Sequence, residues 1–236
     1  MIINITPQDF GGRIRSGDIL GACNMLEDIR IKQNDPTIKF YLPDESIFEA
    51  NYVFIFRDFL KKYTNYFSEV PGDHYLNLNR FNMWDYRSNI PDRTVIDNSS
   101  FQKKDKICIF PLFDAPYNFH RNWDDKLVTA LVDHYTKSFP TYKVIICSSE
   151  NNKSRIEFMN FENVEISYDF ETNLNHIMDC KFFIGGDTGV SHFAGSLLNS
   201  PTNIYYYSCR ALIQSFPLNW KTNGDLRNYS EYGFIL

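Results

Sequence analysis

The chain has 236 residues, 43% of them hydrophobic and 22% charged, with a formal net charge of −5. That balance supports a packed core and excludes wholesale disorder, and at roughly 100–200 residues per domain the length fits one large domain or two small ones. A net acidic chain without a long basic run is a poor match for a protein that holds nucleic acid mainly by neutralising phosphates.

The N-terminus, MIINITPQDF, has neither the basic region nor the apolar run of a secretory signal. No stretch reaches the length of a membrane span, so no stable membrane insertion is expected and the expected location is the cytoplasm, the host's if the chain is viral. Strands are expected at 2–5, 38–42 and 74–78 in the first half, and helices at 18–33 and 46–63. The first helix carries Ile19, Ala22, Cys23, Leu26 and Ile29 on one face. The stretch 52–87 is rich in aromatics and charges without a motif. Aromatics make up 17% of the chain, and a drift toward Phe, Tyr, Asn, Lys and Ile, as an AT-rich genome would encode, accounts for them.

The polar segment 87–106, which contains Pro91 and ends in a charge cluster, marks a boundary. It divides the chain into lobes at 1–100 and 101–236. In the second lobe strands are expected at 107–110, 143–147, 164–167, 182–185 and 203–207, and helices at 124–138, 172–179 and 190–199. Leu127, Ala130, Leu131 and either His134 or Tyr135 recur at helical spacing and give one apolar face. Strands alternating with helices predict an α/β fold with parallel sheets. The five cysteines, Cys23, Cys108, Cys147, Cys180 and Cys209, show no CxxC spacing, and several sit in apolar runs. Buried, reduced thiols fit them better than disulfides or zinc.

The most informative segment is CKFFIGGDTGVSHFAGSLLNSPTNIYYY, 180–207. An apolar strand feeds the turn Gly186-Asp187-Thr188-Gly189, and a helix with small residues at Ala194, Gly195 and Ser196 follows. Such a turn presents the free N–H groups of a helix start to an anion, and the helix dipole adds partial positive charge. Thr188 and Ser191 would add hydroxyl donors, and His192 lies one helical turn beyond Gly189. Asp187 would cap the helix or orient a leaving group, since it would repel phosphate. GDTG alone is better explained as an ordinary connection in which Asp187 or Thr188 is only an N-cap.

The longer string GGDTGVSHFAG resembles the donor-binding signature D-[ST]-G-x-x-H-x-A-x-[AS] of the heptosyltransferase-like glycosyltransferases, family 9 of the GT-B fold. The resemblance implies two Rossmann-like lobes, the N-terminal one abbreviated. It also implies that Thr188 and Gly189 bind a diphosphate and that His192 stands beside the sugar or phosphate. In that family a basic residue follows the first strand of the donor lobe, and here Arg121 occupies the stretch, where its planar fork would suit a departing diphosphate. Trp123 beside it is expected to pack the helix onto the sheet. Glu150 falls after the strand KVIIC, where similar enzymes place an acid against the nucleoside. His176, on the helix before the signature, is expected to be structural. Gly17-Asp18 matches a Gly-Asp pair whose Asp is the general base, although an Asp there also suits a helix N-cap.

The resemblance therefore implies a metal-independent inverting glycosyltransferase. Its substrate is a nucleotide-diphosphate sugar, with no cofactor, and its acceptor is a surface glycan or lipopolysaccharide, or a hydroxylated base of phage-type DNA. A non-catalytic nucleotide-sugar-binding module and a sugar-nucleotide epimerase are the alternatives. Nothing in the sequence specifies an oligomer.

Overall fold

Two parallel sheets organise the chain, which divides into two compact units between Asp97 and Asn98. The computed structural model describes residues 1–5, 16–42, 51–76, 96–111, 123–186, 188–205 and 222–225.

The first unit contains β1 (Ile2–Ile5), α1 (Ser16–Gln33), β2 (Lys39–Tyr41), α2 (Asn51–Tyr63) and β3 (His74–Leu76). Its strands run in the order β2-β1-β3, all parallel, with β1 central. α2 is amphipathic and buries Val53, Phe56, Phe59 and Leu60. α1 departs from the single apolar face expected of it. Every residue from Asp18 to Leu26 is buried, because ILGACNML is apolar or small at all positions but Asn24, and a helix apolar all round is a covered one. It ends where Asn34 turns to φ 51°, a left-handed conformation that Asn tolerates, and Asp35 N–H closes on Arg30 O at 2.9 Å. Ahead of β3, Gly72 passes so near β1 that a Cβ would stand 2.2 Å from Ile2 O. Asn4 pins that approach, accepting from Gly72 N–H at 2.9 Å and donating to its carbonyl at 2.5 Å.

The second unit contains β4 (Lys104–Phe110), α3 (Asp125–Ser138), β5 (Lys143–Cys147), a 3₁₀ turn (Glu150–Asn152), α4 (Lys153–Phe158) and β6 (Glu165–Ser167). It continues through α5 (Phe170–Asp179), β7 (Cys180–Gly185), α6 (Gly189–Gly195), β8 (Thr202–Tyr205) and β9 (Thr222–Asp225). The strand order is β6-β5-β4-β7-β8-β9, all parallel. Numbered within the unit, this is the 3-2-1-4-5-6 order of a doubly wound nucleotide-binding sheet. Asp124 and Asp169 cap α3 and α5, each carboxylate accepting a backbone N–H at 2.8 Å.

One core cluster joins Ile107, Ile109, Val144, Ile146 and Ile184 of the sheet to Leu127, Val128, Leu131 and Tyr135 of α3, with Trp123 at its edge. Trp123 is 1% exposed and packs the helix onto the sheet, as expected. Cys23, Cys108, Cys147 and Cys180 are free and buried. Contact with the Cys147 thiol holds Cys108 well above the usual thiol range, and burial does the same for Cys180. Cys209 lies outside the described residues. Among the described residues no helix is long and apolar enough to cross a membrane.

Candidate functional site

In a sheet of this order, ligands bind outside the carboxyl ends of the strands at the point where the winding reverses. Here that point lies between β4 and β7, which pair in parallel from Ile107↔Phe182 to Phe110↔Gly185. The carboxyl end of β4 is Phe110-Pro111. Pro111 O accepts the Trp123 N–H at 3.3 Å, joining the two ends of the stretch that holds Arg121, itself outside the described residues. The carboxyl end of β7 is Gly185-Gly186, and α6 starts three residues on, so the glycine turn stands at the switch point.

Two local features shape the turn. A Cβ on Gly185 would lie 2.7 Å from the Phe183 ring and 2.9 Å from Ser191 Oγ, so only glycine lets the strand end pass this closely. Thr188 is the N-cap of α6, in extended conformation, and its Oγ1 accepts from Ser191 N–H at 3.4 Å. The cap falls to Thr188, and Asp187 lies outside the described residues. Ser191 differs from expectation. Its hydroxyl, anticipated as a donor to an anion, donates instead to the Gly186 carbonyl, and the residue is 1% exposed. A serine in the first turn of a helix whose cap is already filled finds its nearest acceptor behind it, in the carbonyl of the preceding turn. Thr188 Oγ1 stands 3.3 Å from Ser191 Oγ, longer than a good O–H···O bond, so this contact is easily exchanged for a stronger acceptor.

Thr188 and Gly189 are half-buried, while His192 is buried and its N–H closes the first turn on Thr188 O at 3.2 Å. Thr188, Gly189 and His192 thus share one cap and helical turn. Glu150 opens the 3₁₀ turn beyond β5, with its carboxylate 71% exposed and 3.6 Å from Lys153 Nζ. It occupies the carboxyl side of the sheet. α4, which follows, was not anticipated from the sequence. It is held by Arg155, whose guanidinium donates to Asp125 Oδ1 at 2.7 Å and to Trp123 O at 2.8 Å.

Asp18 belongs to the first unit. α1 begins at Ser16, so Asp18 is the third helical residue rather than the N-cap, and it is 3% exposed.

Gly185→Ala is expected to cost about 1–3 kcal/mol, because the added methyl must displace either Phe183 or the Ser191–Gly186 bond. Urea unfolding of the two proteins measures it. An unchanged midpoint would mean the close approach is not a constraint.

No protein-family model and no curated protein matches the sequence. Solved structures do match. Escherichia coli heptosyltransferase WaaC with ADP aligns over 91% of this chain and 92% of its own, with a TM-score of 0.53 and 12% identity. The glycosyl transferase family 9 protein of Veillonella parvula aligns over 94% and 85%, with a TM-score of 0.59 and 8% identity. Escherichia coli ADP-heptose LPS heptosyltransferase II aligns over 94% and 89%, with a TM-score of 0.56 and 12% identity. At that coverage the likeness includes both units. The chain has the heptosyltransferase-like α/β fold of family 9 glycosyltransferases.

Proposed function

We propose that the chain is a glycosyltransferase that takes a sugar from a nucleotide-diphosphate sugar and passes it to an acceptor hydroxyl. One observation carries the reading. A glycine turn and a threonine-capped helix stand at the switch point between β4 and β7, in a fold that is shared with a heptosyltransferase solved with ADP and with an ADP-2-deoxy-2-fluoro heptose.

In this reading the N–H groups at Thr188 and Gly189, with the Thr188 hydroxyl, receive the diphosphate. Arg121 neutralises the charge that builds on it as the sugar leaves, a role otherwise given to a metal ion. Glu150 meets the nucleoside, His192 stands beside the sugar or phosphate, and Asp187 orients the leaving group. Asp18 removes the acceptor proton as the hydroxyl attacks the anomeric carbon from the face opposite the diphosphate, which inverts the configuration. No cofactor or metal takes part. The acceptor is a surface glycan or lipopolysaccharide, with a hydroxylated DNA base second, and the reaction runs in the cytoplasm.

A thermal-shift screen across nucleotide-diphosphate sugars tests this reading. A true donor near a hundred times its dissociation constant adds about 2.7 kcal/mol, which raises Tm by roughly 5 °C or more. Mass spectrometry of candidate acceptors incubated with the best donor then looks for the added sugar. A shift with plain nucleotides only would remove the donor from the reading. Turnover of the donor with no acceptor present would favour an epimerase.

A further inference from the structure

At the amino ends of β4, β5 and β6, on the side of the sheet away from the glycine turn, six charged or titratable side chains form one chain of contacts. Lys143 of β5 pairs with Glu165 of β6. Glu165 Oε1 stands 3.2 Å from His176 Nε2 of α5, and His176 Nδ1 stands 3.4 Å from Lys106 Nζ of β4. Lys106 reaches both oxygens of Asp179 at 2.7 and 3.0 Å, and Lys104 meets the same carboxylate at 2.8 Å. The exposed ends of the chain are Lys104 and Lys143, while Lys106, His176 and Asp179 are largely enclosed, at 14%, 16% and 8% side-chain exposure.

Hydrogen-bond chemistry fixes the state of the histidine in the middle. An ammonium can only donate, so Nδ1 must offer its lone pair to Lys106 and the imidazole proton must sit on Nε2. Glu165 does not secure that proton. Although it is within reach, Nε2 has no partner of hydrogen-bonding geometry, and Glu165 itself is engaged by Lys143. A second proton would occupy the lone pair that Lys106 uses and set two cations 3.4 Å apart in a poorly solvated place.

We propose that His176 is an acid-sensitive latch, whose neutral imidazole bridges Lys106 of β4 toward Glu165 of β6 and holds α5 against this edge of the sheet. Acid opens the latch by charging the imidazole. α5 runs directly into β7, so the latch seats the helix that leads into that strand. The described groups facing His176 are Lys106 and Lys143, which oppose its protonation, and Glu165 and Asp179, which favour it. Burial opposes it most, and with the two lysines it holds the imidazole below its ordinary range.

The direction of the pH effect follows. The unfolded chain binds a proton at His176 near the ordinary value of about 6.5, and the folded chain binds it only at lower pH. The latch's contribution is therefore complete above pH ~6.5 and declines as pH falls through the lowered folded value.

Two measurements on the full chain test this. Histidine-labelled NMR, assigned by the signal missing in His176→Gln, should show the Nε2–H tautomer and a titration midpoint below that of a free histidine. Lys106→Met should raise that midpoint. Between pH 7.5 and pH 5 the wild-type Tm should fall further than that of His176→Gln, by about 3–5 °C for each tenfold weakening of proton binding. A midpoint at or above the free value, a midpoint unmoved in Lys106→Met, or equal Tm losses would each overturn the proposal. Should His176→Gln not fold, sequential backbone-to-ring assignment of the wild type and Lys106→Met supplies the two midpoints.

Discussion

Asp18→Asn is expected to lower sugar transfer by about 10²–10⁴-fold while leaving affinity for the nucleotide sugar unchanged, the range by which a positioned general base speeds proton removal. The amide has the shape of the carboxylate and cannot take a proton. Asp18 is 3% exposed and sits in the first turn of α1. In a buried site the lost charge also costs stability, about 1–3 kcal/mol. Initial rates with saturating donor and a Tm for each protein separate the two effects. Transfer by Asp18→Asn at the wild-type rate would move the base elsewhere. A large fall in Tm together with the rate would make Asp18 a structural residue.

Most of the second unit is legible in the sequence because parallel strands covered on both faces are written as continuous apolar runs. ICIF, KVIIC and FFIG could be read as strands with no knowledge of their neighbours. Elements without such a run were missed. β9 is TNGD, with no apolar side chain, and it pairs in the sheet through its backbone. α4, KSRIEF, buries only Ile156 and is held by Arg155, whose partners Trp123 and Asp125 lie 32 and 30 residues away. α6 stops at Gly195, short of the expected 199, because Ser196 closes the helix with its N–H on His192 O and Phe193 O.

The candidate site was legible to the extent that it is local. Thr188, Gly189 and His192 fall on one cap and turn, so spacing alone brings them together. Ser191 was misassigned because the sequence shows its hydroxyl but not the Gly186 carbonyl behind it. Long-range polar ties leave no such trace. Asn98, fully buried, donates to Met178 O at 2.9 Å and accepts from Asn199 N–H at 2.8 Å, contacts that span 80 and 101 residues. The charged chain through His176 is likewise assembled from three strands and a helix, and its members look like ordinary surface charges when read in order.

The same kind of long-range tie sets a large expected stability effect at Arg30, in the last turn of α1. Its side chain is 7% exposed, and its Nε donates to Ile38 O at 2.8 Å. Nη1 reaches Glu27 Oε1 at 2.8 Å and Asn65 Oδ1 at 3.0 Å, Nη2 reaches Asn65 O at 3.2 Å, and the guanidinium lies over the Tyr66 ring. One side chain thereby joins the end of α1, the start of β2 and the loop after α2. Glu27 is 23% exposed, so its charge can turn to water and the ion pair itself contributes little. What remains after Arg30→Met is the buried Ile38 carbonyl without its donor, while Asn65 is exposed and turns to water, and the expected loss is about 1–3 kcal/mol. Urea unfolding should show a lower midpoint with an unchanged slope. Arg30→Lys discriminates the cause. It keeps the charge and the stem but replaces a planar fork of five donors with a single head group that cannot span Ile38 and Asn65 together. If the fork is what matters, Arg30→Lys should lose most of what Arg30→Met loses. If charge alone matters, Arg30→Lys should match the wild type. A loss below about 1 kcal/mol in Arg30→Met would reduce the whole arrangement to a surface ion pair.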